Sequence, residues 1–213
     1  MEFIDPKIED YCLTHSNQQN DLLHKLERET HTSVLKPRMI SGHLQGRILS
    51  MLSKMQQPKR ILEIGTYTGF SALCFAEGLQ KEGELITIDI NEELAPLCKR
   101  YFDASEYRNQ IKPVIGNALD IIPTLKGEFD IVFIDADKSN YIKYYDMVID
   151  RIPSGGLIII DNVLWSGKVL DTPKEKDIDT KVLQELNKLV TEDTRVENLL
   201  LPVRDGLMIA RKK

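Results

Sequence analysis

The sequence predicts an α/β domain in which a mostly parallel, doubly wound β-sheet is covered by helices and closed by an antiparallel last strand. Three observations carry that prediction. Short runs rich in Ile and Val alternate with amphipathic stretches whose apolar residues recur every three or four positions, as strands joined by crossover helices require. Most of the runs close on an acidic residue or on glycine. Near the C-terminus a D-G pair separates two further apolar runs, as a hairpin would.

In chain order, helical pieces at residues 4–12, 21–29 and 43–55 come first, the last with Leu44, Ile48, Leu52 and Met55 on one face. They read as an N-terminal helical cap, residues 1–57, on a sheet core, residues 58–213, within one domain of residues 1–213. The strand runs are 60–65 (RILEIG), 85–89 (LITID), 112–116 (KPVIG), 129–135 (FDIVFID) and 156–161 (GLIIID). Between them lie helical patterns over residues 70–79, over Leu94, Leu97, Cys98, Tyr101 and Phe102, and over Tyr141, Tyr144, Val148, Ile149 and Ile152. Each links two strands as a crossover. Beyond Trp165 come a polar loop through Thr172, Pro173 and Lys174, then a helix with apolar Ile178, Val182, Leu183, Leu186, Leu189 and Val190. Two strands at 195–202 and 206–210 follow, joined through Val203-Arg204-Asp205-Gly206.

Composition narrows the function. The chain has 213 residues, 42% of them hydrophobic, with 28 Lys plus Arg against 33 Asp plus Glu, which excludes disordered, collagen-like and coiled-coil readings. A net charge of -5 gives no global basic field, so nonspecific nucleic-acid binding is disfavoured. The three cysteines, Cys12, Cys74 and Cys98, are odd in number and far apart, so neither a disulfide framework nor a zinc knuckle is expected. The N-terminus carries charge where a signal peptide needs an apolar run, and no stretch approaches the ~18 apolar residues of a membrane span. A cytoplasmic protein with no membrane partner is the expectation.

Two constellations carry chemistry. The turn after the first strand, Glu63-Ile64-Gly65-Thr66-Tyr67-Thr68-Gly69-Phe70-Ser71, puts two glycines where backbone passes close to a ligand, or simply where the chain turns. It lacks the middle glycine of the dinucleotide fingerprint, and its helix start suits a carboxylate as well as a pyrophosphate. Asp89, closing the second strand, is suited to accept both hydroxyls of a ribose. The second constellation is Asp135-Ala136-Asp137-Lys138 after the fourth strand with Asp161-Asn162 after the fifth. Neighbouring parallel strands deliver their ends to one edge, so Asp135, Asp161 and Asn162 form an oxygen-only set suited to Mg, Mn or Ca. Turn and helix capping is the alternative role for the same residues. The four histidines, His15, His24, His31 and His43, lie outside both motifs and are assigned no metal; His43, near Ser41, reads as an ordinary surface histidine, with contact to the site as the alternative.

Together these pieces form a resemblance. The segments E-I-G-T-Y-T-G-F-S, I-D-I-N, F-I-D-A-D-K-S-N-Y and D-N-V-L-W-S-G, in this order between roughly residues 39 and 168, with the ending L-P-V-R-D-G, resemble the cation-dependent O-methyltransferases of the caffeoyl-CoA and catechol type, in their bacterial-like small-molecule form. The resemblance implies a Rossmann-like class I methyltransferase fold with a seven-stranded sheet, S-adenosylmethionine as methyl donor and a divalent cation, Mg first. It implies that Glu63, Gly65, Thr66 and Ser71 hold the methionine end, that Asp89 holds the ribose, and that Ala118, in Gly116-Asn117-Ala118, lies beside the adenine. Ser41, Asp135, Asp137 and Tyr144 match further cofactor positions. Asp135, Asp161 and Asn162 match the metal ligands, Asp135 and Lys138 the catalytic pair with Lys138 as general base, and Trp165 a wall of the substrate site.

The implied acceptor is a small-molecule phenol with vicinal hydroxyls, since a divalent cation bound by both oxygens favours the phenolate. Arg38 and Met39 are placed at the substrate entrance by their position before the helix that feeds the first strand. Ser166 stands where the plant enzymes carry a substrate-touching asparagine, and the N-terminal segment does not match the plant region that recognises the acyl-CoA tail, so the acceptor's identity stays open. Relatives suggest a homodimer through the helices before residue 57. The rival within methyl transfer is a tRNA hydroxyuridine O-methyltransferase, for which Lys36-Pro37-Arg38, Lys99-Arg100 and Arg211-Lys212-Lys213 would have to grip phosphate. An NAD-dependent oxidoreductase fits less well, lacking the middle glycine, and a noncatalytic cofactor-binding protein is the third alternative.

Overall fold

The computed structural model describes residues 4–213; Met1, Glu2 and Phe3, on which the N-terminal charge reading partly rests, lie outside the described residues. The strands are β1 (Arg60–Ile64), β2 (Glu84–Asp89), β3 (Ile111–Ile115), β4 (Ile131–Ile134), β5 (Leu157–Asp161), β6 (Val196–Leu201) and β7 (Leu207–Lys212). They form a seven-stranded sheet in the order β3-β2-β1-β4-β5-β7-β6, with β7 antiparallel to both of its neighbours. The chain divides into two compact units, Lys7–Ala118 and Leu119–Lys213, the latter with the short segment ending at Pro6.

In the first unit β1 pairs in parallel with β2 and β2 with β3. Ile61, Leu62, Ile64, Leu85, Ile86 and Ile88 are buried, as a strand covered on both faces demands. β3 lies at the sheet edge, which is why it tolerates Pro113 and exposes Lys112. The helices are α1 (Pro6–Thr14), α2 (Asp21–Ser33), α3 (Gly42–Gln56), α4 (Phe70–Ala76) and α5 (Ala95–Ala104). Asn20 caps α2 by accepting the Leu23 N–H at 2.9 Å.

The buried face of α3 differs from the one expected. Gln45, Gly46, Leu49, Ser50 and Ser53 are buried, whereas Leu44, Ile48 and Leu52 are half-buried and Met55 is exposed. Close packing on α4 is the reason. A Cβ at Gly46 would meet the Phe70 ring at 2.7 Å and Cys74 Sγ at 2.9 Å, and Ser53 Oγ donates to the Phe75 carbonyl at 2.6 Å. The contact selects small residues, and a reading by apolar period falls on the neighbouring stripe.

In the second unit β4 and β5 pair in parallel with Ile134 opposite Ile160, and every residue of both strands is buried. Helix α7 (Tyr141–Val148) buries Tyr141, Tyr144, Tyr145 and Val148, and α8 (Ile178–Glu192) buries Leu183, Leu186 and Val190. The short α6 (Ala118–Ile121) starts where the units meet in sequence. The β6–β7 link is longer than a two-residue hairpin: Leu201 pairs with Leu207, so residues 202–206 form the loop, with Arg204 (φ 50) and Gly206 (φ 90) left-handed. Pro202 ends the ladder because it has no N–H to donate.

Among the described residues no helix is long and apolar enough to cross a membrane. The three cysteines are unbridged, and burial pushes the thiols of Cys74 and Cys98 up to about 12. Between α3 and α4, Glu77 accepts from Arg47 (2.7 and 3.0 Å), Lys54 (2.7 Å) and Ser50 (2.7 Å). Burial alone would raise its carboxyl, but these donors hold it down at about 2 against an ordinary 4.5. A carboxylate with a depressed folded value stabilises above its unfolded value and loses that contribution as pH falls. Glu77→Gln should therefore lower stability at pH 7 by roughly 2–3 kcal/mol. Urea midpoints measured from pH 7 downward should show the gap to the native chain closing between pH 4.5 and about 2.

Candidate active site

The first unit builds one cluster around the turn after β1. Gly65 (φ 103) leaves the strand with its N–H on the Ile88 carbonyl at 2.8 Å, and Gly69 (φ 86) opens α4. At Gly69 a Cβ would lie 2.6 Å from the Phe102 ring, so both the left-handed backbone and the close approach require glycine. Glu63 is wholly buried at the strand end. Ser71 Oγ donates to its Oε1 at 2.6 Å and Thr87 Oγ1 to its Oε2 at 2.5 Å, while Thr66 Oγ1 lies 2.5 Å from Thr87 Oγ1. Four polar groups are thereby fixed as one network, three of them from the turn and among the expected cofactor residues.

Asp89 is aimed by backbone. Its Oδ2 accepts the Tyr67 N–H at 2.7 Å and its Oδ1 the Asn91 N–H at 2.8 Å, leaving further lone pairs on both oxygens for a diol. Tyr67 itself is left-handed (φ 49), and its hydroxyl donates towards the carbonyls of Lys36 (3.2 Å) and Leu35 (3.4 Å). Burial raises the Tyr67 phenol, so it remains a donor near neutral pH. The turn is thus tied to the segment before the 3₁₀ turn Pro37–Met39, on which Arg38 and Met39 are exposed. Ser41 and Ala118 are buried at the starts of α3 and α6. His43 is committed elsewhere: its Nε2 lies 3.1 Å from the Asn17 carbonyl.

The second unit builds the other cluster. Asp135 follows β4 and Asp161 ends β5, and the Ile134–Ile160 register puts them at matching positions of adjacent parallel strands. Asp161 is 4% exposed, with the Asn162 N–H donating to its Oδ1 at 2.7 Å; Asn162 is left-handed (φ 61). Lys138, its side chain 9% exposed, donates from Nζ to the Tyr141 hydroxyl (2.6 Å), the Ala136 carbonyl (3.0 Å) and Asp135 Oδ1 (3.3 Å). Its ammonium lies 4.7 Å from the Tyr141 ring centre and 5.8 Å from that of Trp165. Burial above all, with Asp135 and Asp161 adding to it, pushes the Tyr141 phenol far up, so this hydroxyl stays protonated.

Asp137 is exposed and accepts from Tyr144 Oη (2.6 Å), Asn140 Nδ2 (2.5 Å) and Ser139 Oγ (3.1 Å). Tyr144 is buried with its hydroxyl directed at Asp137, and both burial and that carboxylate raise its phenol. Trp165 and Ser166 are half-buried and exposed in turn, both left-handed (φ 49 and 53). Among the described residues no three His, Cys, Asp or Glu side chains converge as a metal site, so any cation here would draw on the amide oxygen of Asn162 as well as on Asp135 and Asp161.

Sequence reasoning missed Thr87, Tyr67 and Tyr141. The signal for Thr87 was present, since it is the one hydroxyl in the apolar run LITID. The roles of Tyr67 and Tyr141 depend on where a ring reaches, which spacing does not reveal.

The family model described as O-methyltransferase matches residues 13–213. The chain belongs to the O-methyltransferase family. It is 36% identical over 179 residues to caffeoyl-CoA O-methyltransferase 5 of Nicotiana tabacum, covering 79% of this chain and 75% of that one. The O-methyltransferase of Bacillus cereus in complex with SAH superposes with a TM-score of 0.89 at 26% identity, covering 97% of each chain. The SAH-bound methyltransferase PaMTH1 of Podospora anserina superposes with a TM-score of 0.87 at 29% identity, covering 97% of this chain and 94% of that one.

In this O-methyltransferase the buried Glu63 depends on hydroxyl donors. Thr87→Val keeps the shape of the side chain and deletes one of the carboxylate's donors. The expected loss is about 1–3 kcal/mol of stability, read from the denaturant midpoint. Calorimetric titration should show weaker binding of S-adenosylhomocysteine by the same variant.

Proposed function

We propose that this O-methyltransferase is a divalent-cation-dependent enzyme that moves the methyl group of S-adenosylmethionine to one hydroxyl of a vicinal diphenol. The observation that carries the proposal is the cluster in the second unit, where Asp135 and Asp161 stand at adjacent strand ends with the nearly buried Lys138 beside them and Trp165 within 5.8 Å of its ammonium. Two carboxylates and an amide oxygen fit a hard cation such as Mg, with Mn or Ca as alternatives, and would not fit zinc as well. Bound there, such a cation would hold both phenolic oxygens and favour ionisation of one.

The chain's own residues account for the rest. Lys138 Nζ, fixed by the Tyr141 hydroxyl and the Ala136 carbonyl, is the atom that takes up the phenolic proton when it is in its amine form. The Trp165 ring offers an apolar wall to an aromatic acceptor. Glu63 with its hydroxyl network would orient the amino-acid end of the donor, and Asp89 its ribose. SAH, the demethylated form of S-adenosylmethionine, in the two structural relatives supports this choice of donor. Rate enhancement on this account comes mainly from positioning the phenolate oxygen in line with the methyl carbon.

The hydroxyuridine reading carries less. Of the seven basic groups it needs, Lys99 pairs with Asp103 (2.5 Å), Arg100 with Glu29 (2.6 Å) and Arg211 with Glu197 (3.9 Å), so three of those positive charges are already matched. Transfer of labelled methyl from S-adenosylmethionine to a panel of vicinal diphenols and their monohydroxy analogues tests the proposal. Turnover should be confined to diphenols, abolished by a chelator and restored by Mg, and should fall at least ~100-fold in Asp161→Ala. Equal turnover of monohydroxy analogues, or turnover indifferent to the chelator, would overturn it.

A further inference from the structure

We infer that Asp205, in the β6–β7 loop, is a positioning residue for the acceptor side of the site. It holds residues 162–167 in a conformation that fixes the indole of Trp165. The inference rests on the proposed function only in taking Trp165 as an acceptor wall.

The loop after β5 is unusual in its backbone. Asn162 (φ 61), Trp165 (φ 49), Ser166 (φ 53) and Gly167 (φ 83) are all left-handed, and only the last is glycine. A left-handed tryptophan followed by a left-handed serine is a strained pair that needs outside support. That support comes from two sides. From α8, Asn187 Nδ2 donates to the Val163 carbonyl and Gln184 Nε2 to the Val169 carbonyl, each at 2.9 Å. From the hairpin, the Val163 N–H donates to the Gly206 carbonyl at 3.2 Å and the Leu164 N–H to the Asp205 carbonyl at 2.9 Å.

These contacts hold residues 163, 164 and 169, on either side of the strained pair. On the pair itself, the Trp165 N–H donates within the loop to the Asn162 carbonyl at 3.2 Å, and the side-chain contact from outside the loop is the Ser166 N–H donating to Asp205 Oδ1. The hairpin backbone would keep its own bonds with any residue at 205, whereas the bond to Ser166 needs the carboxylate. Close packing makes the clamp tight: a Cβ at Gly206 would meet Leu164 Cγ at 2.5 Å and the Leu164 nitrogen at 2.8 Å. The indole so fixed has the ammonium of Lys138 at 5.8 Å and that of Lys168 at 5.7 Å from its centre. A tilt of residues 165–166 would therefore move the acceptor wall relative to the candidate base.

Trp165 is the only tryptophan in the chain, so its emission reports on this loop alone. Asp205→Ala should shift the emission and raise its quenching by acrylamide. It should also lower kcat/KM for the phenolic acceptor roughly tenfold, with the dissociation constant of S-adenosylhomocysteine unchanged. Asp205→Asn, which keeps an oxygen acceptor, should stay close to the native chain. Ser166→Gly added to Asp205→Ala should recover the native quenching, because glycine adopts the left-handed conformation without strain. Native emission and quenching in Asp205→Ala would overturn the inference, as would failure of Ser166→Gly to rescue them. If Asp205→Ala does not fold, the same comparison between Asp205→Asn and the native chain decides: native quenching supports the clamp and altered quenching contradicts it. Should the native chain methylate no phenol, the proposed function fails while the quenching comparison still decides this inference.

Discussion

A carboxylate at the end of a buried parallel strand has lost much of its water, so the fold must supply it with donors or with a ligand. Glu63, Asp89, Asp135 and Asp161 all stand in that position, at or just beyond the ends of β1, β2, β4 and β5. Each is answered locally. Glu63 takes two hydroxyls, Asp89 two backbone N–H groups, Asp135 the Lys138 ammonium and Asp161 its neighbour's N–H. On the proposed function the first two serve polar groups of the methyl donor, while the last two would hold the cation.

The turn after β1 and the strained loop after β5 follow from the same demand. Turning the chain sharply enough to bring N–H groups back onto a strand-end carboxylate requires left-handed residues, and the turn has three, Gly65, Tyr67 and Gly69. Tyr67 is the informative one. A bulky residue accepts an unfavourable backbone because its N–H serves Asp89 and its hydroxyl reaches the carbonyls of residues 35 and 36. In the second unit the same logic places left-handed Asn162 directly after Asp161, where its N–H reaches the carboxylate of the residue before it.

Most of the fold was legible in the sequence because buried strands and crossover helices carry separate periods. Runs such as LITID and GLIIID became β2 and β5 within a residue or so of their expected ends, and the antiparallel last strand followed from the hairpin signal. The face of α3 was not legible, since a glycine and two serines bury there through close approach to α4 and apolar period assigns them no weight. At the site, the strand-end acids and the Lys138 motif were readable from spacing and resemblance. Thr87, Tyr67, Tyr141 and Asp205 were not, because each acts across 3 to 39 residues of sequence through hydrogen bonds whose direction only the folded chain sets.

On the proposed function the strand-end acids divide into a cofactor pair, Glu63 and Asp89, and a cation pair, Asp135 and Asp161. Binding of Mn²⁺, followed by the loss of its free electron paramagnetic resonance signal, measures this most directly when paired with calorimetric titration of S-adenosylhomocysteine. Asp161→Asn should lose Mn²⁺ binding and keep its affinity for S-adenosylhomocysteine, and Glu63→Gln should do the reverse. Undiminished Mn²⁺ binding by Asp161→Asn would contradict this division.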